Sequence, residues 1–401
     1  MGAYAGVDWA AEEHSLLIED ERGLVLLEDT FAHTEQGVSD LCRLLVRRRV
    51  VRVALERPDG LLVERLLDAG LTVLALHPNQ VKAARARFRA HGGKSDRFDA
   101  FVLAELCRTD AHRFRALVPD TDETKAIRAL TRAREDLVET RVALANQLRA
   151  ELERFWPGGK QIFADIDSQV ALAFLERYPS PVDATRLGEK RLAAFLARHG
   201  YSGRRTPREL LERLRAAPTG RAGDAELEAR RQIVLALVAA LRPLVERISQ
   251  LTADIAHAVR AHRDGEIFRS LFRDPKSVVT AARLLAEIGD CRDRYPTSET
   301  LAADGGMSAV AVESGKQAHA AFRYACDKRL RDALATLSDS TRHHNPWARR
   351  LYRDARARGH QRAIRTVGRA WTRVLWRMWH DRQPYDPTRH RALQRQIAIE
   401  G

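Results

Sequence analysis

The chain opens on short apolar runs separated by polar turns and continues on longer stretches whose apolar positions recur at helical spacing. Tyr4 to Trp9 is a short apolar run with an acid, Asp8, near its end. His14 to Ile18 and Leu24 to Leu27 predict two more strands, joined through the turn Glu19-Asp20-Glu21-Arg22-Gly23. A helical pattern covers Glu35 to Arg47, Val51 to Glu56 predicts a fourth strand, Gly60 to Leu67 a helix and Leu71 to Leu76 a fifth strand. Helices are predicted over Gln80 to Phe88 and Asp96 to Cys107. A three-strand meander followed by strands interleaved with helices predicts a mixed α/β sheet of RNase H-like order.

The middle changes period. Ile127, Leu130, Leu137, Leu144, Leu148 and Leu152 form one stripe of a long helix that stops at Trp156-Pro157-Gly158. Val234, Leu237, Leu241, Leu244, Ile248, Leu251 and Ile255 alternate spacings of three and four, a heptad seam. Pro243 falls inside that seam and is expected to kink or locally distort the helix. Two such helices can pair with each other or with a partner subunit. Between them, Pro179, Pro181, Gly200 and Pro207 mark a small helical insertion. The last part has a helix over Val278 to Ile288, a loop through Gly305-Gly306 and Glu313-Ser314-Gly315-Lys316, and a helical remainder from Asp327. There, Val367, Trp371, Val374 and Met378 form a core-facing stripe. The expected division is residues 1–117 as an α/β domain, 118–265 as a coiled-coil region with an insertion at about 159–222, and 266–401 as a mostly α-helical, basic domain.

Composition sharpens this. The 401 residues are 45% hydrophobic and carry a formal charge of +14, which fits folded domains with a polyanionic partner. The charge is concentrated: from Gly315 onward there are 20 basic and 7 acidic residues, so the first 314 residues are nearly neutral. No apolar run is long enough for a membrane span, and the first residues lack the layout of a signal peptide. The expected location is therefore the cytoplasm. Cys42, Cys107, Cys291 and Cys326 form no CxxC pair and read as buried small apolar residues rather than a zinc site or a disulfide framework. Only eight of the basic residues are lysine, a bias that fits phosphate recognition and a GC-rich genome equally well.

Four acids stand out by position. Asp8 lies at the end of the first strand and Glu56 at the end of the fourth, while Asp96 and Asp99 share one helix face. Converged, such carboxylates suit Mg²⁺ or Mn²⁺ and two-metal phosphodiester chemistry. Taken singly, Asp96 and Asp99 serve equally well to charge the first turn of a helix after Lys94-Ser95. A sugar-kinase-like fold also carries an acid on its first strand, but the glycine-rich phosphate turns it needs are not in place. Ser314 stands beside Lys316, and Arg323 follows; both can hold a phosphate near the hydroxyl. The spacing is not that of a Walker A loop or a nucleophile elbow. Arg349, Arg350, Arg353, Arg356, Arg358 and Arg362 are candidates for a phosphate-facing surface, and Trp371 is expected in the core. His343-His344 before Asn345-Pro346 reads as a helix boundary.

Together these residues resemble the DEDD transposases of the insertion-sequence one-ten family, relatives of the Piv-type DNA invertases. The likeness is carried by Gly6-Val7-Asp8-Trp9, Glu56, His77-Pro78-Asn79-Gln80-Val81-Lys82 and Lys94-Ser95-Asp96-Arg97-Phe98-Asp99-Ala100. It continues in Leu284-Leu285-Ala286-Glu287-Ile288-Gly289-Asp290, Glu313-Ser314-Gly315-Lys316, the basic helix around Lys328-Arg329-Leu330-Arg331, and His344-Asn345-Pro346. The resemblance implies a RuvC-like site in which Asp8, Glu56, Asp96 and Asp99 bind metal. It also implies that Ser314 attacks DNA and holds it through a phosphoserine link. A homo-oligomer (dimer or tetramer) formed through the coiled coil, donor and target DNA as substrates, and guidance by a structured non-coding (bridge) RNA follow from the same resemblance, with Lys316, Arg323, Lys328, Arg329, Arg349, Arg350 and Arg353 as nucleic-acid contacts. The sequence departs from the family at Arg273-Asp274-Pro275-Lys276-Ser277, where a glycine- and proline-containing turn is usual, and at Gly306-Met307-Ser308-Ala309, which lacks the usual proline. Two other readings use fewer of these residues: a RuvC-like nuclease with water as nucleophile needs only the acids, and a non-catalytic nucleic-acid-binding protein needs only the basic segment.

Overall fold

In the computed structural model of the chain, the described residues are 2–88, 95–218, 220, 222–272, 274, 277–314 and 317–400. The chain divides into two compact units, Met1–Pro119 and Asp120–Gly401.

The first unit is built on five strands: β1 (Ala3–Trp9), β2 (Glu13–Glu19), β3 (Val25–Ala32), β4 (Val50–Leu55) and β5 (Thr72–Ala75). Their order across the sheet is β3-β2-β1-β4-β5. The first three strands pair antiparallel, and β4 joins β1 in parallel, as β5 joins β4. This is the RNase H-like arrangement expected from the strand–helix order. Helices α1 (Glu35–Arg47) and α2 (Leu61–Asp68) follow β3 and β4, and α3 (Pro78–Phe88) and α4 (Asp96–Thr109) follow β5. Alternation along the strands splits the core between the two faces of the sheet. Ala3, Ala5, Val7, Leu16 and Ile18 pack with Leu41, Leu45, Leu62 and Leu66 on the α1/α2 side. On the other side, Ala54, Leu74 and Leu76 pack with Val81, Phe98, Val102 and Leu103 of α3 and α4.

Helix α4 lies directly on β1 because Gly6 has no side chain: a methyl group there would run into the Ala100 carbonyl oxygen and the Ala104 nitrogen. Strand β3 is longer than Leu24 to Leu27. It follows β2 out to Ala32, and at the open edge of the sheet most of its side chains are exposed.

The second unit is dominated by α5 (Asp122–Phe155) and α10 (Asp224–Ala261), which pack along each other. Ile127 of α5 shares a core with Ile255 and Val259 of α10, and Leu148 and Leu152 share another with Val234 and Val238. The two helices are therefore antiparallel, and the heptad seam is closed within the chain. The helix runs through Pro243 unbroken. Both Pro243 and Ala239, whose carbonyl it deprives of a partner, are exposed, so water can replace the missing hydrogen bond. The insertion forms α6 (Pro157–Gln161), α7 (Gln169–Arg177), α8 (Glu189–Arg198) and α9 (Pro207–Ala216), seated on the far half of the helix pair.

The near half carries α11 (Gly265–Arg269), α12 (Val278–Ile288), α13 (Ser298–Asp304), a hairpin of β6 (Val310–Ser314) and β7 (Gln317–Ala321), then α14 (Lys328–His344), α15 (Pro346–Arg356), α16 (His360–Asp381) and α17 (Arg391–Glu400). Asn345 caps α15 through the Ala348 amide, with Pro346 in the first turn, so this point is a helix boundary as read. Trp371 is buried and its indole donates to the Thr341 hydroxyl at 2.8 Å. Ser314, expected on a loop, instead ends a strand. Of the four cysteines only Cys42 and Cys107 are buried; Cys291 and Cys326 lie half-buried in turns flanking helices.

The Leu284–Asp290 motif has a structural use. Glu287 accepts from Arg132 at 3.0 and 2.8 Å. Gly289, at a φ of 81°, ends α12 where a side chain would strike Asp120. Asp290 accepts from the Thr121 amide and hydroxyl and from Arg263, and so ties the end of α12 to the start of α5. Burial pushes the Asp290 carboxyl up, but these bonds outweigh it and hold the group down at about 2.

Candidate active site and nucleic-acid interface

In the first unit the acids are placed by strand register and a helix cap. Gly6 of β1 pairs with Ala54 of β4, so Asp8 near the end of β1 and Glu56 just past the end of β4 are each two residues beyond the last pair of this register. Both continue the alternation of the strand face that α4 covers. Ser95 caps α4 by accepting from the Phe98 amide at 3.2 Å, which starts the helix at Asp96 and puts Asp96 and Asp99 in its first turn. The two diverge in environment: Asp96 is exposed, whereas the Asp99 side chain is 2% exposed.

Arg85, from α3, binds Asp99 with both arms of its guanidinium, at 2.6 and 2.7 Å, and reaches Glu56 at 3.2 Å. Glu56 and Asp99 thus converge on one positive charge. The structure brings Glu56 and Asp99 together through Arg85, while among the described residues no three acidic, histidine or cysteine side chains are grouped to hold a metal ion. Carboxylates gathered without a cation repel one another, and a guanidinium supplies the positive charge for two of them. The donor set still fits a hard divalent ion, since it is all carboxylate oxygen and its core pair already surrounds a cation.

In the second unit, Ser314 pairs with Gln317 across the hairpin turn. Gly315 and Lys316, the latter an expected phosphate contact, lie outside the described residues, as does Lys94. Of the other expected nucleic-acid contacts, Arg323 is half-buried and donates to the Ser308 carbonyl at 3.1 Å. Lys328 is exposed at the start of α14. Arg329 is held on α5 by Glu135 and Asp136, each at 2.8 Å. Arg349, Arg350 and Arg353 are exposed on α15, where Arg350 donates to Gln396 at 2.9 Å.

Beside the hairpin lies a cleft of about 590 Å³ whose walls include His319 and Phe322 on one side and Arg358, Arg362, Arg365 and Arg369 on the other. Arg331 and Arg365 each place a guanidinium near the Phe322 ring, 4.8 and 4.9 Å from its centre. Burial, with repulsion from Arg362 and Arg331, holds the Arg365 guanidinium below its ordinary pKa. The cleft is therefore a concentration of like charge that a phosphate backbone would relieve. Arg365 and Arg369 extend the basic surface beyond the arginines that end at Arg362. The signal was present in the spacing of Arg358, Arg362, Arg365, Arg369 and Arg373, a basic stripe opposite the Val367–Met378 core stripe.

Two family models match the chain: residues 5–157 match a DEDD transposase model of IS110 type, and residues 277–353 that of the Transposase IS116/IS110/IS902 family. The IS117 mini-circle transposase of Streptomyces coelicolor is 30% identical over 97% of this chain and 96% of its own length. The chain belongs to the IS110 family of DEDD transposases. This transposase is also similar to a 44.8 kDa protein of insertion element IS116 from Streptomyces clavuligerus, 27% identical over 96% of each chain. A transposase named y4uE from Sinorhizobium fredii is 34% identical over 49% of this chain and 56% of its own length. Among solved structures, Thermus thermophilus RuvC in complex with a Holliday junction aligns with 29% of this transposase and 100% of its own chain, at 18% identity and a TM-score of 0.23. No helix among the described residues is long and apolar enough to cross a membrane.

Proposed function

We propose that this transposase cuts and rejoins DNA through a covalent bond between Ser314 and a DNA phosphate, with Asp8, Glu56, Asp96 and Asp99 as the metal-binding acids. The observation that carries the reading is the position of Ser314. It ends β6, whose partner strand β7 gives His319, Ala320 and Ala321 to the wall of the arginine cleft, so the serine and the cleft belong to one hairpin. In the cutting step the serine oxygen attacks phosphorus and the bond to a deoxyribose oxygen breaks. That oxygen leaves with the proton the serine gives up. Rejoining reverses the step with a hydroxyl from another strand, so no phosphodiester energy is lost to water. A Mg²⁺ or Mn²⁺ ion on the acids would stabilise charge on the phosphoryl oxygens. The basic side chains Lys316, Arg323, Lys328 and the exposed arginines of α15 and α16 would hold the backbone.

The reading extends to a guide RNA that pairs with donor and target DNA, so that the protein need read only shape and backbone. It also extends to a dimer or tetramer that completes the reaction between subunits, acting on the chromosome in a prokaryotic cytoplasm. In this reading the catalytic, helical and basic regions meet at about residues 117 and 265, the last two sharing one compact unit. Ser314→Ala is expected to bind DNA as the natural chain does and to leave both strands uncut. Asp8→Ala is expected to abolish cutting in Mg²⁺. Cutting that survives Ser314→Ala but not Asp8→Ala would favour a water-using nuclease instead. Purification of the chain with RNA transcribed from its flanking DNA, and loss of recombination when that RNA is removed, checks the guide.

A further inference from the structure

The acid pair is already satisfied by a cation that belongs to the protein. Asp99 is nearly sealed from solvent, and a buried carboxylate without a counter-charge is costly. Arg85 meets that cost with two parallel bonds to Asp99 and a third to Glu56. The same guanidinium occupies the lone pairs that a metal ion between Glu56 and Asp99 would use, and its charge would repel the ion. Yet Arg85 is not deeply seated. Its side chain is 24% exposed on a helix held by buried Val81 with Ala84 and Phe88 packed beside it, so a change of side-chain rotamer, with no movement of the helix, can carry the guanidinium toward solvent.

We propose that Arg85 is a resident counter-cation which a divalent metal must displace, so that it sets the metal affinity of the site and keeps the acid pair assembled until metal arrives. This rests on the reading of Glu56 and Asp99 as metal ligands. Arg85 is a positioning residue in this scheme: it holds two carboxylates together and facing one point, and it delays metal loading. Once displaced, it remains within a side-chain length of the acids as a free guanidinium able to meet a phosphate.

The test is Mn²⁺ binding to the full chain without DNA, followed by the electron paramagnetic resonance signal of the free ion. Arg85→Met is expected to bind Mn²⁺ roughly ten-fold more tightly than the natural chain, since no charge-assisted bonds need to be broken. Its melting temperature without metal should fall and recover when Mn²⁺ is added. Arg85→Lys, which keeps the charge but loses the two-armed geometry, should fall between the two and serves if the methionine variant does not fold. Unchanged or weaker Mn²⁺ binding in the folded variants overturns the proposal. Glu56→Gln separates the two levels. If it abolishes binding while Arg85→Met fails to tighten it, the metal reading stands and the role of Arg85 falls; if it leaves binding unchanged, both fall.

Discussion

Single residues decide how closely the parts of each unit approach. Gly6 lets α4 lie on β1, and the backbone of α4 fills the place of its missing side chain. Gly6→Ala should therefore cost about 3 kcal/mol in a urea melt, as overpacking at a rigid contact does. It should also displace Asp99 and with it the contact to Arg85. Glu19 shows the opposite economy. It is 0% exposed, it shares Arg108 with Glu105, and burial together with the Glu105 charge pushes its carboxyl up to about 7. The fold thus favours the protonated form. Stability from this group is complete at acid pH, below the ordinary carboxylate range, and is lost as pH climbs through about 7. Glu19→Gln should leave stability near pH 4 almost unchanged and raise it by roughly 2–3 kcal/mol above pH 8. An equal gain at both pH values would show that Glu19 does not titrate in this way.

At the scale of elements, the caps and stripes place the chemistry. Ser95→Ala should cost about 1 kcal/mol and fray the turn that carries Asp96 and Asp99, read as lost amide protection at Phe98 and Asp99 in hydrogen exchange. The basic stripe of α16 has a different signature. If Arg362, Arg365 and Arg369 each meet a phosphate, replacing all three with glutamine should flatten the slope of log affinity against log salt by about 2 to 3. An unchanged slope would move the backbone off the cleft. The strands of the first unit and the long helices were legible because their periods are clear over many residues. The β6–β7 hairpin was not. Val310 and Val312 alternate over only five residues, amid a helical neighbourhood. The basic stripe beyond Arg362 is less legible because Arg365, Arg369 and Arg373 are interleaved with Val367, Trp371, Val374 and Met378, whose apolar period dominates the same helix.

Across the whole molecule, the charge of +14 has two local meanings. The near-neutral first unit places an arginine between two of its acids, whereas the second unit leaves arginines crowded against each other around Phe322. That Asp8 and Glu56 end neighbouring strands could be read from the sequence, because strand order dictates it. The guanidinium between Glu56 and Asp99 could not, because it comes from α3, a helix with one buried residue and no marked pattern. The seam of α10 could be read, but not that it closes on α5 of the same chain, since a heptad does not name its partner. The central claim is that Ser314 carries the DNA. The direct measurement is mass spectrometry of the denatured protein after reaction with its DNA substrate in Mg²⁺ and nuclease trimming. A nucleotide attached through phosphate to Ser314, and no adduct in Ser314→Ala, is the predicted result; an adduct on another residue, or joined DNA made by Ser314→Ala, would contradict it.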